Sequence, residues 1–429
     1  MEKLEKLLNQ YEANGSDVEK LKEVRAKVQT MLENNNTMIT CFKEIVSEIE
    51  EKSKKFLHSK SKGDISNIFA LSSCIYLPSE NGTYKIKVLG GKDNNGEEIT
   101  KETVFDVASI TKLFTLIFTF KLDEIGVLSK YDKVTDYLPE YKGLEDFTIN
   151  DLLLLCGQLY TNGNIAEADT KEGAEAKLKT IYLKSKNRSE NKYTDFGAII
   201  ISKIIEKVVS EESGKLISFD EIMDKHFFEP FGMKNTSFNP KAKSIAGNGF
   251  ENGVHDRKAR ILGPVGSAGV FTISDDLAAL ARKIYHIRYF DYMALRDIIS
   301  KQNLDNLGTV TFPNSEIADK GYLGTYQKSS DPSKIFVPSL YADKSFAAQG
   351  WTGSLAIFDP KNRIHNNILV SAITKDARNL ELYRHEKALG YKEAIGDYEN
   401  AVATYSITLE ILRECYNEYL NLDVERYVR

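Results

Sequence analysis

Ser109 and Lys112 stand three residues apart at the head of an apolar run. On a helix, positions i and i+3 share one face about a turn apart. The Ser109 hydroxyl could therefore meet the Lys112 amine. A neighbouring base is one way to turn a weak hydroxyl into a reactive nucleophile. The run 113–120 would bury the helix behind the pair. A desolvated lysine favours the neutral form, which can accept a proton. The same spacing recurs at Ser59 and Lys62 inside a charged stretch. Spacing alone therefore also fits a helix cap followed by a surface lysine.

The surrounding elements must decide between the two. Residues 1–62 read as helices broken at Gly15-Ser16-Asp17 and Asn34-Asn35-Asn36. Leu21, Val24, Val28, Met31 and Leu32 recur at helical spacing, as do Met38, Cys41, Phe42, Ile45, Val46 and Ile49. These stripes fit a helical hairpin packed on its own domain or a coiled-coil contact in a homodimer. Residues 68–77 and 84–89, around Pro78-Ser79-Glu80-Asn81-Gly82, read as an antiparallel hairpin. Thr148-Ile149-Asn150-Asp151 caps a helix, and further helices are expected over 198–209, 220–228 and 275–285. Strands return at 322–326, 346–358 and 366–374, the last two joined by a turn at Asp359-Pro360-Lys361-Asn362. A helix over 394–422 closes the chain. Strands at both ends with helices between them predict an α+β fold: an antiparallel β-sheet flanked by helices, plus an all-helical lobe.

Composition narrows the function classes. The 429 residues suffice for two or three domains. A net charge of −5 gives no reason to expect a nucleic-acid partner. Six scattered histidines and four distant cysteines (41, 74, 156 and 415) form no metal or redox motif. No metal or cofactor is expected. The longest apolar run, 113–120, is far short of a membrane span. The start, Met1-Glu2-Lys3-Leu4-Glu5-Lys6, carries no secretory signal pattern, and the expected location is cytoplasmic. Residues 247–269 are glycine-rich but lack a Gly-Lys-Ser/Thr ending, which argues against a phosphate loop.

Three short motifs follow in order: Ser109-Ile110-Thr111-Lys112, Tyr193-Thr194-Asp195 and Trp351-Thr352-Gly353-Ser354. Between them lie Tyr137-Leu138-Pro139-Glu140-Tyr141, Glu229-Pro230-Phe231-Gly232-Met233, Val254-His255-Asp256 and the glycine-rich 263–271. Over about 68–375 the chain resembles the serine β-lactamase-related superfamily: class C β-lactamases, low-molecular-weight penicillin-binding proteins and esterases of that fold. The resemblance implies a β-lactamase/transpeptidase-like domain over 63–390, with its helical lobe about 140–262. An added N-terminal segment, 1–62, and a C-terminal helix, 391–429, lie outside that domain.

The resemblance also implies roles. Ser109 would be the nucleophile, and Lys112 and Tyr193 would share the acid/base work. A tyrosine is a poor base near neutral pH unless a cation lies close by, which Lys112 would supply. The backbone N–H groups of Ser109 and Ser354 would form an oxyanion hole. Asp195, Trp351, Thr352 and Gly353 would contact the substrate, a small-molecule or peptide acyl compound.

Asp195 stands where relatives usually have Asn; it can accept from Lys112 and keep it protonated, shifting the base role to Tyr193. Trp351 stands where β-lactamases and carboxypeptidases place Lys or His to grip a carboxylate. It offers an apolar wall and one N–H instead. That departure points to ester or thioester substrates, by hydrolysis or transfer. A D-amino-acid peptidase, a penicillin-binding protein or a weak β-lactamase is the alternative, and a non-enzymatic dimeric scaffold is a second. Leu155-Cys156-Gly157-Gln158 departs from the usual His-Thr-Ser-Gly, and His255 is expected to be a structural hydrogen-bonder in its loop.

Overall fold

The computed structural model describes residues 70–79, 82–184, 192–241, 244–247, 253–286, 301–311, 319–328, 337, 341–361 and 363–371. The expected helical segment 1–62, the C-terminal helix and the dimer contact lie outside the described residues.

The fold is the expected α+β arrangement. Its sheet begins with β1 (Ala70–Ser79) and β2 (Gly82–Gly91), an antiparallel hairpin in register from Ala70↔Gly91 to Ser79↔Gly82. Three short strands follow at distant points of the chain, β3 (Phe105–Asp106) and the pair β4 (Leu159–Tyr160) with β5 (Tyr182–Leu183). β3 pairs with β6 (Phe271–Thr272). The last third supplies β7 (Asp319–Lys320), β8 (Tyr326–Gln327), β9 (Phe346–Gln349), β10 (Leu355–Asp359) and β11 (Ile364–Ser371). The main sheet runs β2-β1-β11-β10-β9-β8-β7. The first strands in sequence thus pair with the last, so the sheet closes only when the whole domain has been made.

Helix α1 (Thr111–Glu124) lies in the middle of the domain, and every residue from Thr111 to Phe120 is buried. A helix buried on all sides needs no amphipathic stripe. Phe114 and Phe118 meet the rings of Phe227 and Phe228 mostly edge-on or tilted. Each such buried side chain contributes about 1.5–3 kcal/mol of transfer free energy. In the helical lobe, α2 (Ile149–Leu153) starts with the expected capping box, in which Thr148 and Asp151 satisfy each other's backbone N–H groups. α3 (Lys171–Lys179) and the long α4 (Phe196–Ser213) follow, and α4 packs on α1. α5 (Phe219–Met223) passes into a π-helical turn over Asp224–Phe228, so the helix expected over 220–228 is only partly α. α6 (Arg257–Leu262) and α7 (Ser274–His286) complete the elements that position the site.

Two expected strands are otherwise. Residues 346–358 form two strands, not one: β9 and β10 pair with each other around a loop at 350–354. Gly350 N donates to Ser354 O at 2.7 Å and Gly353 N to Gly350 O at 3.0 Å, which closes the loop. The apolar residues on both sides of this stretch enclose a turn at two glycines. Residues 322–326 are mostly a 3₁₀ turn, Tyr322–Gly324, with Leu323 at φ 49 and Gly324 at φ 79. The turn after β10 is as expected: the Asp359 carboxylate accepts from Lys361 N and from Ala342 N.

Candidate active site

The turn that carries Ser109 is built from the end of β3. Val107 N donates to Val270 O, which ties the turn to the strand beside it. Ala108 then adopts φ 50, a left-handed conformation uncommon for a residue with a Cβ. Asp106 Oδ1 accepts from Ala108 N at 2.9 Å and stabilises it. Ser109 therefore sits in a 3₁₀ turn, Ala108–Ile110, two residues ahead of α1 rather than on it. The i to i+3 relation survives the change: Lys112 Nζ lies 2.8 Å from Ser109 Oγ.

Lys112 is 2% exposed and fully engaged. Besides Ser109 it donates to Ser267 O at 3.0 Å and pairs with Asp195 Oδ1 at 2.8 Å. Its ammonium also stands 5.0 Å from the centroid of the Tyr193 ring. Burial alone would push the lysine down, but the Asp195 carboxylate outweighs it and holds Lys112 well above the ordinary lysine range. Of the two expectations for Lys112, neutral by desolvation or held charged by Asp195, the geometry favours the second, with the carboxylate 2.8 Å from the amine.

Asp195 precedes α4 and joins two cations. Its Oδ2 lies 2.8 Å from Lys258 Nζ, on α6. Burial would raise this carboxyl, yet Lys112 and Lys258 hold it far below the usual carboxylate range. Lys258 also reaches Asp256 at 3.4 Å, the residue that caps α6 by accepting from Ala259 N.

Tyr193 is 42% exposed and presents its ring towards the open side. A Cβ on Gly324 would fall 2.4 Å from Tyr193 Cε2, so only glycine lets the 3₁₀ turn come this close. Lys320 Nζ lies 5.3 Å from the centroid of the same ring.

The third motif is the loop at 350–354, pressed against the serine's turn. A Cβ on Gly350 would meet Val107 O at 2.4 Å. Thr352 Oγ1 donates to Asp106 O at 3.0 Å. Ser354 is buried with its hydroxyl engaged by β11, accepting from Val370 N and donating to Val370 O. Gly353 adopts φ 99, and Trp351, 48% exposed, stands at the rim.

The structure thus gathers Ser109, Asp195 and the Tyr193 ring around Lys112, and places Trp351, Thr352, Gly353 and Ser354 on one loop against the turn of Ser109. Such a set can move a proton from a hydroxyl and hold charge close to it. Sequence reasoning missed Asp106 and Lys258. Asp106 has a local signal, an acid three residues before Ser109; Lys258 is one of 57 lysines and arginines with none. His255 is a buried hydrogen-bonder, as expected, with Asp106 as its partner. Among the described residues, no group of three or more His, Cys, Asp or Glu is placed to hold a metal, and no helix is long and apolar enough to cross a membrane.

Comparison with known proteins places this geometry. A family model described as Beta-lactamase matches residues 82–389. An N-acetylmuramyl-L-alanine amidase of Bacillus subtilis (strain 168) is 25% identical over 301 residues, covering 60% of this chain and 65% of that protein. A provisionally named D-alanyl-D-alanine carboxypeptidase of Escherichia coli (strain K12) is 25% identical over 308 residues, covering 62% and 68%. The chain therefore spans about two thirds of the length of these curated relatives. Among solved structures, EstCE1, a hydrolase with promiscuous acyltransferase activity, superposes with a TM-score of 0.59 at 16% identity, covering 84% of this chain and 98% of that one. At that identity the likeness is one of fold.

Proposed function

The chain belongs to the beta-lactamase family, and from that premise we propose that it is a serine hydrolase or acyltransferase working through an acyl-enzyme on Ser109. The preferred substrates in this reading are esters or thioesters. The observation that carries it is the contact set of Ser109 Oγ, Lys112, Asp195 and Tyr193.

The base is Tyr193. An ammonium has three N–H donors and no lone pair. Those of Lys112 go to Ser109 Oγ, Ser267 O and Asp195. Lys112 therefore serves as the fixed positive charge beside Tyr193 and Ser109. Tyr193 takes the Ser109 proton while Oγ forms its bond to the acyl carbon. The tetrahedral oxyanion is held by the backbone N–H groups of Ser109 and Ser354. The acyl–oxygen or acyl–sulfur bond then breaks, and Tyr193 returns the proton to the leaving alcohol or thiol. Water, or an acceptor alcohol, attacks the ester on Ser109 and gives its proton to Tyr193. The bond to Oγ breaks, and Ser109 regains its proton.

Trp351 supports the ester preference. Its half-exposed indole offers an apolar rim where a cation would be needed to bind a carboxylate. A second reading, a D-alanyl-D-alanine carboxypeptidase or related D-peptidase, is favoured by the names of the curated relatives.

Nitrophenyl esters of short acids should be turned over, and a fluorophosphonate should add to Ser109, with both lost in Ser109→Ala. Absence of both reactions in the parent protein would sink the proposal. Faster turnover of D-alanyl-D-alanine peptides than of esters would move the assignment to the second reading.

A further inference from the structure

We propose that Asp106 and His255 form a positioning pair that sets the conformation of the serine turn and, with it, the alignment of Ser109. This inference rests on Ser109 being the nucleophile. Neither residue touches the acyl group; both act through the backbone that presents it.

Asp106 is the point where three separate segments are tied together. Its Oδ1 accepts from Ala108 N at 2.9 Å. Its Oδ2 accepts from His255 N at 2.8 Å and from His255 Nδ1 at 2.6 Å. Its backbone carbonyl accepts from Thr352 Oγ1 at 3.0 Å. The first bond fixes the residue before Ser109. The second and third fix the loop leading into α6, where Lys258 meets Asp195. The fourth fixes the loop that carries Ser354. An ionised carboxylate only accepts, so the Nδ1 facing it carries the proton. The pair is dry, with side-chain exposures of 2% for Asp106 and 7% for His255. Such burial gives each bond more weight than it has in water.

The backbone explains why such a brace is needed. Ala108 sits at φ 50. A residue with a Cβ keeps that conformation only where its surroundings over-determine it. Release of Ala108 N would let the turn relax, moving the Ser109 Oγ and N–H together. Lys112, Ser267 and Ser354 are held by other elements and would stay. The nucleophile and its N–H would then lose register with the second N–H of the oxyanion hole.

The test compares the parent protein with Asp106→Asn, His255→Ala and His255→Asn. Each is measured for ester kcat and KM, fluorophosphonate labelling rate and thermal unfolding. Asn at 106 keeps one acceptor but turns a donor towards His255. Asn at 255 keeps a donor for Asp106 without a titrating ring. In Asp106→Asn and His255→Ala, kcat and the labelling rate should fall about 100-fold, with KM nearly unchanged, as expected for a misplacement near 1 Å. His255→Asn should recover most of that loss. Folded Asp106→Asn and His255→Ala proteins that label at the parent rate would overturn the inference. So would a His255→Asn protein as slow as His255→Ala, or a loss confined to KM. If Asp106→Asn does not fold, the two His255 variants decide by the same criteria. The acyl-enzyme reading is checked separately, by whether the parent protein labels at all.

Discussion

Two aspartates flank Ser109, one beside lysines and one beside a histidine, and they are held in different ways. Asp195 faces two lysine ammonium groups and is a quarter exposed. Asp106 faces backbone N–H groups and one imidazole, and is almost wholly buried. Lysines are long, hydrated and adjustable; a backbone amide is not. The first arrangement governs how much charge sits near the hydroxyl. The second governs where the hydroxyl is. One site thus separates charge control from shape control, using the same residue type for both.

The largest effect that could break this comparison is on stability. Asp106→Ala leaves a buried imidazole without its carboxylate and should cost about 3–5 kcal/mol in denaturant unfolding. Asp195→Ala should cost less, because water reaches that side and Lys112 can discharge once its partner is gone. Equal losses in the two variants would mean that the two aspartates do the same job.

An intermediate effect is the dependence of stability on pH, which should separate the pairs along the scale. His255 faces Asp106 from β3, and Asp256 and Arg260 from its own segment. Burial would lower this histidine, but Asp106 outweighs it and the net shift is upward from 6.5. A raised pKa gives stability that is complete below the unfolded value. It is lost as pH rises through the folded one. The Asp106–His255 contribution should therefore fade on the alkaline side of pH 6.5. Asp195 is shifted down from 3.8, so its contribution holds above that value and is lost only as pH falls through its folded pKa. Thermal unfolding across pH, with His255→Asn as the control, reads both. An alkaline slope in the parent protein no different from that of the variant would contradict the assignment.

The smallest effect sharpens the contrast. Lys258 is a quarter exposed, and Lys258→Met should cost roughly 0.2–1 kcal/mol, within the range of solvent-touched pairs. Ester turnover should change only a few-fold by the same weak coupling, and a large loss would move Lys258 into the same class as Asp106.

Much of this was legible in the chain because the signals are local or shared with a family. Ser109 and Lys112 are one turn apart, and the capping box at Thr148 lies within four residues. Tyr193, Asp195 and Trp351 were reached only through resemblance, since nothing in their spacing points back to Ser109. The bond between His255 and Asp106 spans 149 positions, and no periodicity encodes such a contact. The charge on Lys112 depends on signals of both kinds. Burial can be read from the apolar run, but the carboxylate that opposes it comes from another segment. The loop at 350–354 does not stand out from the strands in sequence, because apolar residues run up to its two glycines from both sides.

That loop places an anchor and a rim side by side. Thr352 is buried and bonded to the turn of Ser109, while its neighbour Trp351 stands half in solvent. In the proposed acyl-enzyme reading, replacement at 351 would alter which molecules are admitted without disturbing the atoms that would react. On that reading, selectivity could drift one codon at a time while the proposed acylating residues stay as they are.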